Sequence, residues 1–506
     1  MIQRSAMNLL NTCAVWFSLV SLVRSSSLVE PPKSAVVVAF ENEYELSLLA
    51  NTLSDNGIST ILIISSSPSV ILYDTLVNVE IIKLDFDDER SQTREARALN
   101  ACEALLRNEI VGKKIEEFSP THVISPALRH DACVLPWAKQ FKLIPVVWTQ
   151  GSEAETYTFY HSGIALPIFR GGFWSRLSHL LEIRSTRINF DNNYVTPALE
   201  LVGKYLPDII NTLDNFYADV DLVFWGSDPI LRSEISPLSQ LLVEIGCHHC
   251  RGAHPVPADL QKELVEFRLG TIAVLLDEEY KNLIEEIARG LPQGRQGQAV
   301  AWKNKKMNYS SDQKPDNLFF HNEVIRQDVI GYPRTRVLLS HCEDTELLEA
   351  AFHGTPVICF PRNRDEIKNS QRALSLGFSL ETNNDYTASN LLSLIKTIHE
   401  TAGYRENARK ISVAIRDRPN PAADRITYWL GYVARNKNDK KFLAANENRR
   451  ITYRNIFNVD IWLTIGFIFG VISGAVLPSA YILAGRILAA NEHFGGRGKP
   501  KRKYKT

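Results

Sequence analysis

Cysteine is scarce in this chain, with seven residues among 506, and this excludes a small scaffold built on disulfide bonds. Net charge is absent too. Because 57 Lys and Arg balance 57 Asp and Glu, the chain lacks the basic field of a nucleic-acid binder, and we expect no nucleic-acid partner. Glycine (26) and proline (23) are too few for a low-complexity protein. What is present is a globular composition, 45% hydrophobic and 23% charged, at a length that predicts about two domains.

The first 27 residues have the pattern of a secretory signal peptide. Arg4 precedes the mostly apolar run Met7–Val23, and Ser25–Ser27 supply small residues at its end. We expect cleavage near these serines, and the alternative is an uncleaved anchor. Cleavage would remove Cys13 and leave six of the seven cysteines, which could form pairs.

One apolar run near the C-terminus is long enough to cross a membrane. Ile461–Gly485 holds 25 residues without a charge, and a helix of this length spans a hydrocarbon core of roughly 30 Å. The alternative is a buried helix of a soluble protein. The basic tail 486–506 ends in Lys503–Thr506, which resembles a lysine-based retrieval signal of the endoplasmic reticulum. Together with a signal peptide, these features predict a type I single-pass protein of that membrane, with a lumenal body and a cytosolic tail.

Three glycines within the predicted span recur every four residues: Gly466, Gly470 and Gly474. Small residues at this spacing can let two membrane helices approach closely, so a homo- or heterodimer is a further expectation. The alternative is that glycine is simply common in such spans.

The body of the chain alternates between buried strands and helices. Ala35–Phe40 and Thr60–Ile64 are continuous apolar runs, typical of parallel strands buried on both faces, and a helical pattern between them completes a βαβ unit. Gly252–Asp259 reads as a linker, after which a second alternation begins. The fold class is therefore α/β, with two doubly wound domains at 28–251 and 252–445 and ligand sites at the carboxyl ends of their strands.

The second half of the chain resembles a known family in the order and spacing of its motifs. These are Asp328–Arg336, Ser340-His341, Glu349-Ala350, His353–Pro356, Phe360-Pro361, Asp365-Glu366 and Asp417–Pro419. They are similar to the nucleotide-binding half of the UDP-glycosyltransferases, in the membrane-bound UDP-glucuronosyltransferase branch. The resemblance implies a GT-B-like fold, in which two Rossmann-like domains face a cleft and one C-terminal helix anchors the body.

The same resemblance implies the reaction. It would be the transfer of a hexose or hexuronic acid, with inversion, from a UDP-sugar to a small lipophilic acceptor at a membrane. The first domain would hold the acceptor and the second the nucleotide. The UDP-sugar is a co-substrate, and we expect no cofactor.

Four residues are the predicted contacts of the donor. The helix that follows His341 presents free amides to a diphosphate, and the His341 side chain can donate one more hydrogen bond. Glu349 can accept from the ribose hydroxyls, and Asp365 and Glu366 from the sugar hydroxyls. The alternatives are a histidine satisfied by backbone, a solvated helix carboxylate and a plain turn.

The chain departs from the family in the loop after His341. Where the family has glycines, this loop reads Cys342–Glu346, with three carboxylates. Side chains keep the backbone away from phosphate, and one unit charge about 5 Å from another costs roughly 3 kcal/mol at an effective dielectric near 20. Alternatively, these acids stabilise the helix N-terminus and occupy the anion site themselves, or a divalent cation bridges them. The family's Trp-x-Pro-Gln segment is missing as well, and its Trp, Pro and Gln positions read Glu323, Ile325 and Arg326.

The family's catalytic pair is also missing. Asn42 stands at the position of its base, a histidine, and asparagine cannot take a proton. The position of its orienting aspartate falls at Ser125 or Pro126. Candidate substitutes lie close by in sequence: Glu41, Glu43 and His130, with Asp131 nearby. The alternative function is therefore a non-catalytic family member that binds lipophilic ligands or pairs with an active transferase.

The segment Cys247-His248-His249-Cys250 has the spacing with which many zinc sites begin. A closed zinc site needs a second pair of ligands, and no second pair is obvious in the sequence. We therefore expect no metal here, and we interpret the two cysteines as a disulfide or as part of a packed linker.

Overall fold

A computed structural model describes residues 34–66, 78–86, 93–127, 130–150, 162–167, 172–209, 212–232, 235–237, 239–304, 314–322, 324–380, 382, 386–438 and 459–495. The predicted signal peptide, Glu323 and the end of the basic tail lie outside these residues. The chain forms two compact units, Met1–Asn448 and Arg449–Thr506.

The N-terminal lobe is built on a parallel sheet of seven strands in the order β3-β2-β1-β4-β5-β7-β9. Two further strands, β6 and β8, form a small antiparallel pair. The strands are β1 Ser34–Ala39, β2 Ser59–Ser65, β3 Val79–Leu84, β4 His122–Pro126, β5 Ile144–Thr149, β6 Ala165–Pro167, β7 Leu222–Trp225, β8 Ile235–Pro237 and β9 Leu242–Glu244. The helices are α1 Glu43–Asp55, α2 Arg94–Arg107, α3 Glu109–Phe118, α4 Asp131–Gln140, α5 Phe173–Phe190, α6 Thr196–Tyr205 and α7 Leu213–Tyr217.

The C-terminal lobe repeats this plan with six parallel strands in the order β12-β11-β10-β13-β14-β15. The strands are β10 Gly270–Val274, β11 Gln298–Trp302, β12 Leu318–Phe320, β13 Thr335–Ser340, β14 Val357–Cys359 and β15 Ser379–Leu380. The helices are α8 Ala258–Val265, α9 Lys281–Gly290, α10 Arg326–Ile330, α11 Asp344–His353, α12 Arg364–Ser375, α13 Ala388–Glu400, α14 Ala402–Arg416 and α15 Ala422–Asn436. Two doubly wound α/β domains were predicted, and that prediction is confirmed.

Strand β1 shows why the apolar runs predicted the sheets correctly. Val37 pairs with Leu62 on one side and with Ile124 on the other, and helices cover both faces. Burial on both faces removes the need for polar residues, so the sequence of a central strand is continuously hydrophobic. The strand order reverses between β1 and β4, and again between β10 and β13. These are the switch points where ligands bind in open α/β sheets.

Helix α15 crosses back to the N-terminal lobe although it lies within the segment 252–445. Ile426, Leu430 and Val433 are buried in the same apolar core as the N-terminal sheet. The carbonyl oxygen of Leu430 lies 3.1 Å from Nε2 of the buried His122. The chain therefore links its two lobes both through the linker and through this returning helix.

The second unit contains one long helix, α16 Val459–Gly495. Its segment Ile461–Ala490 is apolar and long enough to cross a membrane, on the grounds of length and composition. Pro478 lies inside this helix. The segment includes the predicted span Ile461–Gly485 and extends five residues beyond it.

Three disulfide bonds join the six cysteines that follow the predicted signal peptide. The pairs are Cys102–Cys133, Cys247–Cys250 and Cys342–Cys359. The disulfide interpretation of Cys247-His248-His249-Cys250 thus agrees with the structure. Cys247, His249 and Cys250 lie close enough together for a metal ion, but the two sulfurs are bonded to each other.

Candidate functional site

His341 follows β13 at the switch point of the C-terminal sheet and is 2% exposed. Its Nδ1 lies 2.8 Å from the carbonyl oxygen of Phe360 and therefore donates to it. Its Nε2 lies 3.4 Å from Oδ2 of Asp277, which follows β10. The backbone bond fixes the orientation of the ring and directs Nε2 towards the carboxyl end of the sheet. Nε2 is therefore the ring nitrogen that remains available for the predicted contact with a diphosphate.

Arg362 is the centre of this region, and it was not predicted from the sequence. Its Nη1 donates to Oδ2 of Asp277 at 2.5 Å, and its Nη2 donates to Oε1 of Glu343 at 2.7 Å and lies 3.3 Å from Oε1 of Glu366. We call Arg362, Asp277, Glu343, Glu366 and His341 the Arg362 cluster. It places one guanidinium beside the start of α11, where the family resemblance locates the diphosphate.

Asp365 and Glu366 lie in the first turn of helix α12, and Glu366 is part of the cap of that helix. The side chain of Asn363 accepts from the backbone N–H of Glu366 at 3.0 Å, and Oε2 of Glu366 accepts from the backbone N–H of Arg362 at 2.6 Å. This is a variant of the reciprocal capping box. Asp365 is less buried, with Oδ1 4.0 Å from Nζ of Lys368. A sugar hydroxyl would have to share Glu366 with these donors.

A disulfide bond connects the loop between β13 and α11 to the neighbouring strand β14. Cys342 has φ 60°, in the left-handed region that favours glycine, and its sulfur is bonded to Cys359 at the end of β14. Asp344, the first residue of α11, forms an ion pair with Arg232 and accepts from Nδ2 of Asn369 at 2.9 Å. Arg232 comes from the loop after β7, so the N-terminal lobe supplies the counter-charge of Asp344.

Glu346, the third acid of the loop, is 8% exposed, and its Oε2 has no hydrogen-bond partner among the described residues. Burial and the nearby Glu343 raise the pKa of Glu346 to about 8. Burial therefore favours the protonated form of this carboxyl. Of the three carboxylates in this loop, Glu343 and Asp344 are each paired with an arginine, and burial favours the neutral form of Glu346.

Glu349 lies one turn further along α11 and belongs to a second group. It is completely buried, its Oε2 accepts from Nε of Arg326 at 2.8 Å, and its Oε1 lies 3.4 Å from Nε2 of His249. Nη2 of Arg326 donates to Oε1 of Glu45 in α1, also at 2.8 Å. We call Arg326, Glu349, Glu45 and His249 the Arg326 cluster. It joins the two lobes through buried charges.

The charges of the Arg326 cluster support one another. Burial opposes ionisation of Glu349, but Arg326 and His249 outweigh it and lower the pKa of Glu349 to about 2. The pKa of Glu45 is lowered in the same way, with Arg326 overcoming the effect of burial. Arg326 also lies over the ring of Tyr44, 5.1 Å from its centroid. A ribose that approached Glu349 would compete with Arg326 for the carboxylate.

The structure therefore divides three of the four predicted donor contacts between two groups and leaves the fourth outside both. His341 and Glu366 belong to the Arg362 cluster, Glu349 belongs to the Arg326 cluster, and Asp365 lies near the surface. Helix α11 joins the two groups. No pattern in the sequence marks Arg326 or Arg362 as a partner of these acids.

In the N-terminal lobe, Asn42 directly precedes α1 with φ 54°, and its side chain is exposed. No capping bond from this side chain is found in the described part of α1. Ser125 is buried, and its hydroxyl donates to the carbonyl of Pro126 at 3.1 Å. Neither position provides a group that accepts a proton readily near neutral pH.

The suggested substitutes lie around the same switch point. Nε2 of His130 lies 3.8 Å from Oε2 of Glu41, and the edge of its ring meets Phe40. Both carboxylate oxygens of Asp131 accept hydrogen bonds: Oδ1 accepts from the N–H of Ala132, and Oδ2 accepts from the hydroxyl of Tyr217. Glu43 is 7% exposed, at the start of α1.

Comparison with known proteins identifies the family. A family model described as UDP-glucoronosyl and UDP-glucosyl transferase matches residues 234–487, half of the chain. The chain belongs to this family. UDP-glucuronosyltransferase 2A2 of Mus musculus is 27% identical over 268 residues, which cover 51% of this chain and 48% of the mouse protein. UDP-glucuronosyltransferase 2A2 of Homo sapiens is also 27% identical over 268 residues, which cover 51% of this chain and 47% of the human protein. The chain thus matches about half the length of these relatives.

Solved structures of the same fold include two glycosyltransferases. The calicheamicin glycosyltransferase CalG4 superposes with a TM-score of 0.56 at 15% identity, covering 80% of this chain and 99% of that one. Phytolacca americana UGT2, solved with UDP-2fluoro-glucose and pterostilbene, gives the same TM-score at 14% identity, with the same coverage. The GT-B fold, with two Rossmann-like domains and a cleft between them, is thereby established for this member of the family.

Proposed function

We propose that this protein is a UDP-glycosyltransferase that moves a hexose or hexuronic acid from a UDP-sugar to the hydroxyl of a small lipophilic acceptor. Family membership and the GT-B fold support the proposal. One structural observation favours it over a non-catalytic relative. The acids at the start of α11 are paired or protonated, so a diphosphate would meet far less negative charge than the loop sequence suggests.

In this proposal the diphosphate lies at the N-terminus of α11. Helix amides and the helix dipole favour an anion there, and Arg362 can donate to phosphate oxygens. His341 donates from Nδ1 to the carbonyl of Phe360, so its Nε2 can donate to phosphate only in the imidazolium form. Glu349 accepts from the ribose once Arg326 yields one carboxylate oxygen. The acceptor lies in the N-terminal lobe. Its oxygen attacks the anomeric carbon, the bond from that carbon to the UDP oxygen breaks, and the configuration inverts.

We place the protein in the membrane of the endoplasmic reticulum, with a lumenal body and one span, as a homo- or heterodimer. The apolar helix Ile461–Ala490 supports the span. The predicted signal peptide and the basic tail support the orientation. Protease protection of the body in sealed microsomes, with the tail accessible, tests this topology.

Calorimetric titration of the full-length protein in detergent micelles with UDP, with and without Mg²⁺, tests donor binding. We expect heat of binding without Mg²⁺. We also expect Glu343→Gln to tighten UDP binding about three- to tenfold. The substitution removes one negative charge near the diphosphate and weakens the contact of Glu343 with Arg362, so that Arg362 can donate to phosphate instead. Glu263→Gln, an exposed acid on α8, is the matched control and should leave the affinity unchanged.

Two results would count against the proposal, the first against the activity and the second against the position of the diphosphate. Absence of heat with UDP in both conditions would favour the non-catalytic alternative, a ligand binder or a partner of an active transferase. An unchanged affinity in Glu343→Gln would show that the loop does not face the diphosphate. The double substitution of Cys342 and Glu343 by glycine is less informative, because it also breaks the Cys342–Cys359 disulfide.

A further inference from the structure

His130 and Glu41 form a pair at the switch point of the N-terminal sheet. Glu41 follows β1 and His130 follows β4, and these are the two neighbouring strands between which the strand order reverses. Nε2 of the histidine lies 3.8 Å from Oε2 of the glutamate. The histidine side chain is 6% exposed and that of Glu41 34% exposed. The histidine is thus shielded from water and the glutamate is partly exposed, at the edge of the sheet where ligands bind.

An acceptor hydroxyl needs a base if it is to attack a sugar. Asn42 and Ser125, at the expected positions, cannot supply one. Asp131 is held by Tyr217 and by the N–H of Ala132. An imidazole accepts a proton near neutral pH, and a neighbouring carboxylate orients the ring and stabilises the imidazolium.

We propose that His130 is the catalytic base of this chain and that Glu41 is its positioning residue. This rests on the proposed transferase function and specifies its acceptor side. The acid follows β1 and the base follows β4, so relative to the expected arrangement the two roles have changed strands. This exchange would preserve the function of the pair, because the carboxyl ends of β1 and β4 meet at one point of the sheet.

The proton balance of the step is simple. A ring nitrogen of His130 takes the proton of the acceptor hydroxyl as the acceptor oxygen bonds to the anomeric carbon of the sugar. The bond from that carbon to the diphosphate oxygen breaks, and UDP leaves with the electron pair. The imidazolium faces Glu41 until it returns the proton to solvent.

The test compares two acceptors of different acidity with one UDP-sugar that the wild-type protein uses. The probes are 1-octanol, which needs a base, and 4-nitrophenol, which is already partly ionised at pH 8. We expect His130→Gln to lower kcat with 1-octanol at least a hundredfold and to affect 4-nitrophenol much less. Imidazole added to His130→Ala should restore part of the octanol rate.

Glu41→Gln tests the positioning role. We expect a smaller loss, about tenfold, and an acidic limb of the pH–rate profile that moves to lower pH, because the imidazolium loses its counter-charge. His399→Gln, an exposed histidine on α13, is the control and should retain the wild-type rate. UDP affinity should be unchanged in all these variants, because none of the three residues lies in the Arg362 or Arg326 cluster.

The outcomes separate the two proposals. If wild-type protein binds UDP but transfers sugar to neither probe, the proposed function fails and this inference with it. If wild-type protein transfers sugar and His130→Gln retains its rate with 1-octanol, the inference alone is overturned. Equal losses with both acceptors, with no rescue by imidazole, would show a purely structural role and overturn it as well.

Discussion

Substitution of Arg326 tests how much the Arg326 cluster contributes to the stability of the fold. The substitution Arg326→Met keeps an apolar stem of similar length and removes the charge shared by Glu45 and Glu349. Burial would favour protonation of Glu349, yet its pKa lies at about 2 instead of 4.5. At about 1.4 kcal/mol for each unit of pKa, this difference corresponds to about 3 kcal/mol. Since Glu45 also loses its partner, we expect the free energy of unfolding to fall by about 3–5 kcal/mol at pH 7.

The assay is urea unfolding of the full-length protein in detergent micelles, followed by tryptophan fluorescence, with the first transition compared at several pH values. The sign of the pH dependence follows from linkage. A carboxyl whose folded-state pKa is lowered contributes stability above its unfolded pKa and loses it as pH falls towards the folded pKa. Wild-type protein should thus lose the contribution of Glu349 between about pH 4.5 and pH 2, and the deficit of Arg326→Met should shrink over the same range.

The chain offers a matched control in Arg364→Met. Arg364 also forms an ion pair between the lobes, with Glu182 on α5, but both side chains are exposed, 51% and 40%. Exposed pairs contribute about 0–1 kcal/mol, so this variant should unfold almost like the wild type. If Arg326→Met were as stable as Arg364→Met at pH 7, with no dependence on pH, the Arg326 cluster would not compensate for the burial of its acids.

Two further predictions concern the start of α11. Glu346 has a folded-state pKa raised to about 8, so stability should decrease as pH rises from about 4.5 to 8, and Glu346→Gln should unfold at higher temperature than wild type at pH 9 but not at pH 5. A lower unfolding temperature of Glu346→Gln at pH 9 would contradict the burial argument. Replacing both Cys342 and Cys359 by serine opens a loop with a sequence separation of 17 and should cost about 3 kcal/mol, measured by urea unfolding with the Cys102–Cys133 disulfide intact. If the double variant and the wild type had the same urea concentration at the midpoint of unfolding, this estimate would be refuted.

The central strands and their helices were predictable from the sequence because burial on both faces leaves a continuous apolar run. Strand β3 was not predicted. Val79–Leu84 lies at the edge of the sheet, and Glu80 and Lys83, on its solvent-facing positions, interrupt the hydrophobic pattern. The short strands β9, β12 and β15 have only two or three residues each, too few for a period to be recognised.

The place of His341 and Glu349 in the fold was predictable, but the charge state of the acids around them was not. His341 and Glu349 were chosen by their place in a motif, and both are buried on or beside α11. The partners of the acids lie far away in sequence: Arg232 is 112 residues from Asp344, and Arg326 is 23 from Glu349. Which arginine meets which acid depends on how the lobes pack, and a single sequence does not contain that information.

This dependence on packing changes how the acidic loop should be understood. Taken alone, the segment from Cys342 to Glu346 repels a diphosphate. In the folded protein one acid is protonated, and two are paired with arginines, of which one comes from the other lobe. A motion of the lobes that carried Arg232 away from Asp344 would make the site more negative, whereas closure would restore the pair. The affinity for a UDP-sugar should therefore depend on the contact between the lobes, a coupling that glycines at this loop would not provide.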